Sequence, residues 1–478
     1  MKSMADSRGK GAFRSLWALL VVFALTMAAC QGETATPVEE TTAENADDPT
    51  TTAGAGTTVA APQGDVIVDF WHGFGGHRQE WIEEAAGSYS DMTEGVTIRT
   101  ESKGSYEDLF DAMLLSAGTD AAPELAQVVV TYVAPALASE VFKTVSEVDV
   151  DGKVDPDFFA PVVDQVTVDG ELTSIPFSHS GPIMFYDKGL FEEAGLDPES
   201  PPRTWSELLD ACEAIVDEAA VAESCIGIPW HPWFFENLLA VSGEPLLNNE
   251  NGRTDLATAT AIDSEAGIAV AEFWRELYER GYYPHATEGY DFPRLMFTES
   301  RTAISLSSIA DAGYFATTFE EQGRDLGTGF FPVADVDAPG GGTTLGGASV
   351  WITAGLEPEV EQAALDFALW LAAPEQSADW HKITGYFPLT PEAEAVLEDE
   401  GWFEENPAFR TALDQLQQTE PSPVTAGPFH AAMPEVNDAI ITAMEQILVG
   451  DAEITTALAA AAATSADAIE RLNASLGG

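Results

Sequence analysis

From Val66 to Phe70 apolar and polar residues alternate with the period of a half-buried strand. The run Trp71-His72-Gly73-Phe74-Gly75-Gly76 then turns the chain into a helical pattern from about Arg78 to Tyr89. Val96 to Glu101 reads as the next strand. Ser105 is placed to cap a helix to about Ala117 with Asp108 as its third residue, and Leu125 to Val130 is a third strand. The style repeats after Thr173 to Phe177: a strand at Pro182 to Tyr186, a helix from Thr204 that Pro201-Pro202 keeps from starting earlier, and helices at Pro232 to Val241, Ser264 to Arg280 and Phe292 to Glu299. Strands follow at Thr302 to Leu306, Gly329 to Phe331 and Ser349 to Thr353, and helices fill the chain from about Pro358. Strands alternating with helices predict an α/β protein whose parallel sheets are wrapped on both faces.

The first 64 residues do not share this pattern. Lys2, Arg8, Lys10 and Arg14 precede an apolar run from Leu16 to Met27 and the small residues Ala28-Ala29 before Cys30, the layout of a secretory signal that ends in a lipidated cysteine. The run is too short to span a bilayer by itself. Gln31 to Gly64 holds Thr, Ala, Glu, Asp, Gly and Pro with no aromatic residue, a composition that buries too little to offset its ordering entropy. It reads as a tether with a reach of roughly 30 Å. The remaining length, about 410 residues, exceeds one compact core and suits two lobes. The expected division is a signal at 1–29, a lipid-anchored tether at 30–64, one lobe from 65–178 plus 306–338, and a second from 181–300 plus 345–478. In α/β lobes ligands sit beyond the carboxyl ends of the strands, so two such lobes share a cleft.

Lysine and arginine total 20 against 80 aspartate and glutamate, a net charge of −60 that repels nucleic acid and anionic lipid. Both are excluded as partners, leaving the lipid anchor as the one membrane contact. Cys212 and Cys225 are close in sequence in an exported chain; they form either a disulfide or two buried thiols. No nucleophile elbow, phosphate loop or zinc-protease helix occurs, and the histidines lack metal-ligand spacing. A carboxylate pair in the cleft of a secreted carbohydrate-active enzyme is the competing reading, and a scaffold whose aromatic residues only pack is a third. Aromatic residues beside turns carry more information: Trp71, Tyr106, Trp230, Trp233, Tyr386 and Phe429 offer flat faces to sugars and polyols, near the hydroxyls and amides of Ser178-His179-Ser180 and Gly346-Gly347-Ala348-Ser349.

Several ordered blocks carry a resemblance: Phe70-Trp71-His72, Lys103-Gly104-Ser105-Tyr106-Glu107, Ala194-Gly195-Leu196-Asp197-Pro198 with Pro201-Pro202-Arg203-Thr204-Trp205, Leu345-Gly346-Gly347-Ala348-Ser349-Val350-Trp351, and Trp380-His381-Lys382-Ile383-Thr384-Gly385-Tyr386-Phe387-Pro388. With them the chain from Asp65 onward resembles the family 1 extracellular solute-binding proteins of ABC importers, and within these the branch that takes glycerol 3-phosphate. The resemblance implies a two-lobed flytrap of the type II periplasmic-binding fold with interleaved chain crossings. Such a protein is a monomer without cofactor or metal that closes on a sugar, polyol or glycerol-phosphate ligand and presents it to a permease outside the cytoplasmic membrane. Carried over by position, it implies ligand contacts at Tyr106, Ser178, Ser180, Trp230, Trp233, Gly347 and Tyr386, and at Ser307 or Ser308. Two positions depart from the glycerol-phosphate branch: Val130 stands where a glutamate follows the third strand, and Phe429 where an arginine precedes Met433-Pro434. Arg78, Arg301 and His430 are the candidates to replace the missing cation.

Overall fold

The structure, a computed structural model, describes residues 66–154, 157–284, 289–335 and 341–476. The signal, Cys30 and the tether lie outside the described residues. The strands are β1 (Val66–His72), β2 (Val96–Ser102), β3 (Leu125–Val129), β4 (Phe142–Lys143), β5 (Thr167–Val168), β6 (Glu171–Leu172), β7 (Ile175–Ser180), β8 (Pro182–Asp187), β9 (Ser224–Gly227), β10 (Thr302–Ser308), β11 (Leu326–Gly329) and β12 (Gly346–Thr353). They form two main sheets, and β5 with β6 makes a small separate ribbon. The first sheet runs β2-β1-β3-β12-β4, with β7 also paired to β12; the second runs β11-β8-β10-β9.

Most of the expected elements are present, several with a local cause, but the strand expected at Gly329 to Phe331 lies instead at Leu326–Gly329, where it pairs with β8, and the one expected from Ser349 begins at Gly346. Ser105 accepts the amide of Asp108 at 3.0 Å and opens the helix Tyr106–Ser116. Thr204 and Glu207 form a reciprocal capping box that starts the helix Trp205–Cys212 just past the two prolines. Cys212 at the end of that helix is bonded to Cys225 in β9 as a disulfide.

Two expectations are corrected. The sheets are not purely parallel: β1 pairs parallel with β2 and β3, but β12 enters antiparallel to β3, β4 and β7, and β8 runs antiparallel to both β10 and β11. The division of the chain also differs. Residues 306–338 do not join the first lobe, because β10 and β11 pair with β8 in the second sheet; and 345–478 is not wholly in the second lobe, because β12 sits inside the first sheet. The physical reason is burial. β12 is covered along its length except at Gly347, and its Val350-Trp351-Ile352 run is fully enclosed, which only a central strand provides. Following it, the helix Pro358–Leu371 packs on β1, and the helix Pro374–Thr384 packs Trp380 against Trp81 of the first lobe at 4.9 Å between ring centres.

The chain therefore crosses between the lobes more than once, first at Gly181 between β7 and β8. The lobes also touch through backbone. A Cβ on Gly385 would lie 2.4 Å from the Ile309 carbonyl oxygen and one on Gly313 would lie 2.8 Å from that of Ile383, so this approach admits only glycine at both points. The second lobe has its own core around Trp274, Phe234, Phe235 and Tyr282.

Candidate ligand-binding cleft

β1 ends at His72 and the chain passes through Gly73 to Gly76 into the helix His77–Met92. A Cβ on Gly73 would stand 3.0 Å from the Tyr106 ring, so glycine lets this loop lie against the start of the next helix. Phe74, buried in the same loop, has its ring centre 5.8 Å from those of both Tyr106 and Tyr386. Tyr386 stacks on Trp380 at 5.7 Å and 10°, and its hydroxyl is 3.4 Å from that of Tyr106. Burial first, then the neighbouring Tyr386, holds the Tyr106 phenol well above its ordinary value, so it remains a neutral donor. The first lobe thus presents a rigid pair of tyrosines on an aromatic base.

The second lobe answers from the helix Pro232–Ala240. Burial pushes His231 down to about 4. It is neutral and its Nδ1 accepts the amide of Trp233 at 3.2 Å, which caps the helix and fixes the indole. Gly346 lies under that indole, where a Cβ would meet the ring at 2.9 Å. Between these walls is a cavity of about 520 Å³, within the range of small-ligand sites.

Of the positions expected from sequence, Tyr106, Ser180, Trp233, Gly347 and Tyr386 line this cavity together, and Ser308 rather than Ser307 joins them. The others sit elsewhere. Ser178 is buried and accepts from Gln127 Nε2 at 2.8 Å. Trp230 is buried edge-on against Trp274 at 5.8 Å. Ser307 donates to Asp311 inside the fold. Phe429 packs beside the small cluster of Phe110, Val128 and Trp351, and Val130 is a buried member of that cluster, so neither departure faces the cleft. Among the proposed substitute cations, Arg301 pairs with Glu223 at 2.9 Å and His430 bonds Asn473 at 2.9 Å, whereas Arg78 lines the cavity.

The structure also adds residues that the sequence reading omitted: Thr131 and Tyr132 just past β3, Tyr290, Arg294, and Asn437 in the helix Met433–Leu448. Tyr290 follows Gly289, the aromatic-beside-a-turn pattern that picked out Trp233, and was findable by it. Asn437 has no such signal. Among the described residues no group of three His, Cys, Asp or Glu side chains is arranged to hold a metal ion, and no helix is long and apolar enough to cross a membrane.

The model of a family described as bacterial extracellular solute-binding protein matches residues 84–411. This chain belongs to that family. A solute-binding protein of this kind is the extracytoplasmic receptor of an ABC importer and not an enzyme, which removes the carboxylate-pair reading. Among similar proteins is the sn-glycerol-3-phosphate-binding periplasmic protein UgpB of Pectobacterium atrosepticum, 28% identical over 399 residues that cover 82% of this chain and 88% of that one. The UgpB of Salmonella typhimurium is 28% identical over 392 residues, 80% of this chain and 88% of that one. Two solved structures share the fold: UgpB from Mycobacterium tuberculosis in complex with glycerophosphocholine and a cyclic alpha-maltosyl-1,6-maltose binding protein from Arthrobacter globiformis. The first has TM-score 0.73 at 20% identity, covering 85% of this chain and 99% of that one; the second has 0.69 at 24%, covering 85% and 100%.

Proposed function

We propose that this solute-binding protein is lipid-anchored through Cys30 and captures a small hydroxylated ligand of the sugar, polyol or glycerol-phosphate class, which it delivers to permease subunits. One observation carries the ligand class: aromatic faces from both lobes, Tyr106 and Tyr386 on one side and Trp233 and Tyr290 on the other, converge on one cavity whose rim also offers Ser180, Ser308 and the Gly346-Gly347 backbone. Flat rings stack on the C–H faces of such ligands while hydroxyls and amides fix their orientation. Contacts drawn from both lobes favour the closed state only when ligand is bound. The names of the UgpB relatives support the same class.

Calorimetric titration of the mature chain with glycerol 3-phosphate, glycerophosphocholine and maltotriose tests this reading. We expect Trp233→Ala to weaken binding at least about tenfold, and, since its indole is also buried and packs on Phe234, to lower the melting temperature as well, so binding is measured at a temperature where the variant is folded. Trp230→Ala is expected to cost about 3–5 kcal/mol of stability, since it empties a buried site. Wild-type affinity in Trp233→Ala would remove the stacking role.

The anchor is tested separately. Cys30→Ser is expected to shift the protein from the membrane fraction to the medium or periplasm and to abolish incorporation of radiolabelled palmitate. An unchanged membrane fraction would refute lipidation at this cysteine.

A further inference from the structure

With 80 acidic side chains to 20 basic ones, most arginines among the described residues pair with carboxylates. Arg99 meets Asp69, Arg324 meets Asp187 and Arg410 meets Asp414. Arg294, one of two guanidinium groups lining the cleft, follows the rule: its Nε and Nη2 donate to Asp311 Oδ1 at 3.0 and 2.7 Å, and Asp291 lies 3.6 Å from its Nη1. Its charge is already answered.

Of the two guanidinium groups in the cleft, Arg78 is the exception. It forms an ion pair with no carboxylate among the described residues. Its Nη2 donates to the Ala310 carbonyl oxygen of the opposite lobe at 2.6 Å, and its Nε is buried with no hydrogen-bond partner. The guanidinium lies 5.7 Å from the Phe74 ring centre and 5.4 Å from that of Tyr386, contacts that hold it in place. A partly buried cation that no carboxylate answers is costly, and an oxyanion arriving from the cleft at Nη1, which is neither buried nor bonded, is the group that best answers it, because a guanidinium offers charge-assisted donors to a phosphate or carboxylate. The two carboxylates of the wall do not displace this reading: Asp291 is engaged by Arg294, and Glu107 is exposed at the start of the helix Tyr106–Ser116.

Arg78 also marks a junction. A second hollow of about 550 Å³, lined by His77, Leu295 and Tyr314, adjoins the cleft and shares Arg78 and Arg294 with it. A group bound at Arg78 therefore has space on both sides.

We infer that Arg78 reads an oxyanion in the middle of the ligand, with one substituent in the aromatic chamber and the other in the outer hollow, the shape of a phosphodiester. This inference rests on the receptor reading above and narrows it. Val130 and Phe429 then have no bearing on charge recognition, since the cation comes from the loop after β1.

Titration of the mature wild-type chain, Arg78→Gln and Arg78→Lys with glycerophosphocholine, glycerol 3-phosphate and maltotriose, each at low and high salt, decides it. The wild type is expected to bind glycerophosphocholine more tightly than the monoester, with affinity that falls as salt rises. Arg78→Gln should lose roughly 10- to 100-fold for both phosphates and flatten the salt dependence, Arg78→Lys should recover part of the loss, and any maltotriose affinity should be the same in all three. Melting curves of the variants establish that they fold. Unchanged phosphate affinity in Arg78→Gln, or a wild type that binds only maltotriose, would overturn the inference and leave the receptor reading intact. A wild type that binds none of the three would overturn both.

Discussion

Gly347→Ala is expected to destabilise the protein by at least about 3 kcal/mol and to abolish ligand binding. The residue has φ +88°, where a side chain is already strained, and a Cβ built there falls 1.8 Å from the Ser178 carbonyl oxygen. No rotamer relieves a backbone collision. The methyl can be housed only by parting β12 from β7, where Gly347 sits opposite His179 and Gly346 opposite Ser180. That separation moves the cleft floor and the support beneath Trp233 together. Gly355→Ala is the matched control: its φ is +85° but nothing lies within 4 Å of the added atom, so it should cost only about 1 kcal/mol. Urea denaturation of both variants separates the collision from the dihedral strain, and equal stabilities would refute the account.

Stability is expected to fall steeply as the pH drops below about 6.5. Burial lowers His72, His231 and His381 to about 4 and His179 to about 3. Each folded-state value lies below the unfolded one, so between about 6.5 and 4 the unfolded chain binds protons that the native state refuses. The stabilisation is complete above 6.5 and is lost through that window, at about 1.4 kcal/mol per pH unit for each histidine. Glu236 opposes them. Burial raises it to about 7, so the native state keeps a proton there that the unfolded state has released, and its contribution grows as the pH falls from 7 towards 4.5. The net slope is that of about three protons, which over two pH units amounts to roughly 8 kcal/mol, comparable with the whole stability of a typical domain. Urea melts at pH 7, 6 and 5 measure it. A flat profile would mean that the histidines admit water and titrate normally, and Glu236→Gln should steepen the slope by about one proton.

Much of the fold was legible because its signals are local. Ser105 with Asp108, Thr204 after two prolines, and the Gly73-to-Gly76 turn each act within a few residues. The position of β12 was not legible, since what selects it is three partner strands, β3, β4 and β7, from distant parts of the chain. The site shows the same limit at finer scale. Ser307 and Ser308 are adjacent, but a strand turns alternate side chains to opposite faces, so one is bonded to Asp311 and the other reaches the cleft. Trp230 and Trp233 differ because the chain enters a helix at Pro232 between them. Val130 and Phe429 share residue neighbourhoods with the cleft, yet their side chains are drawn into an apolar cluster. Arg78 stood out in sequence only as one cation near a loop; the absence of a carboxylate beside it is a fact of three dimensions.

The central place of β12 also sets an order of events during biogenesis. Val66 to Val129 supplies three neighbouring strands early, but the strand that joins β3 to β4 and β7 is made only after the chain has left for the other lobe and returned. A nascent chain shorter than about 350 residues therefore holds a sheet with a missing middle and an open edge beside β3. Contacts this remote in sequence form slowly. For a chain exported unfolded such a delay would be useful: the element that would lock the amino-terminal half is among the later parts of the chain to be made.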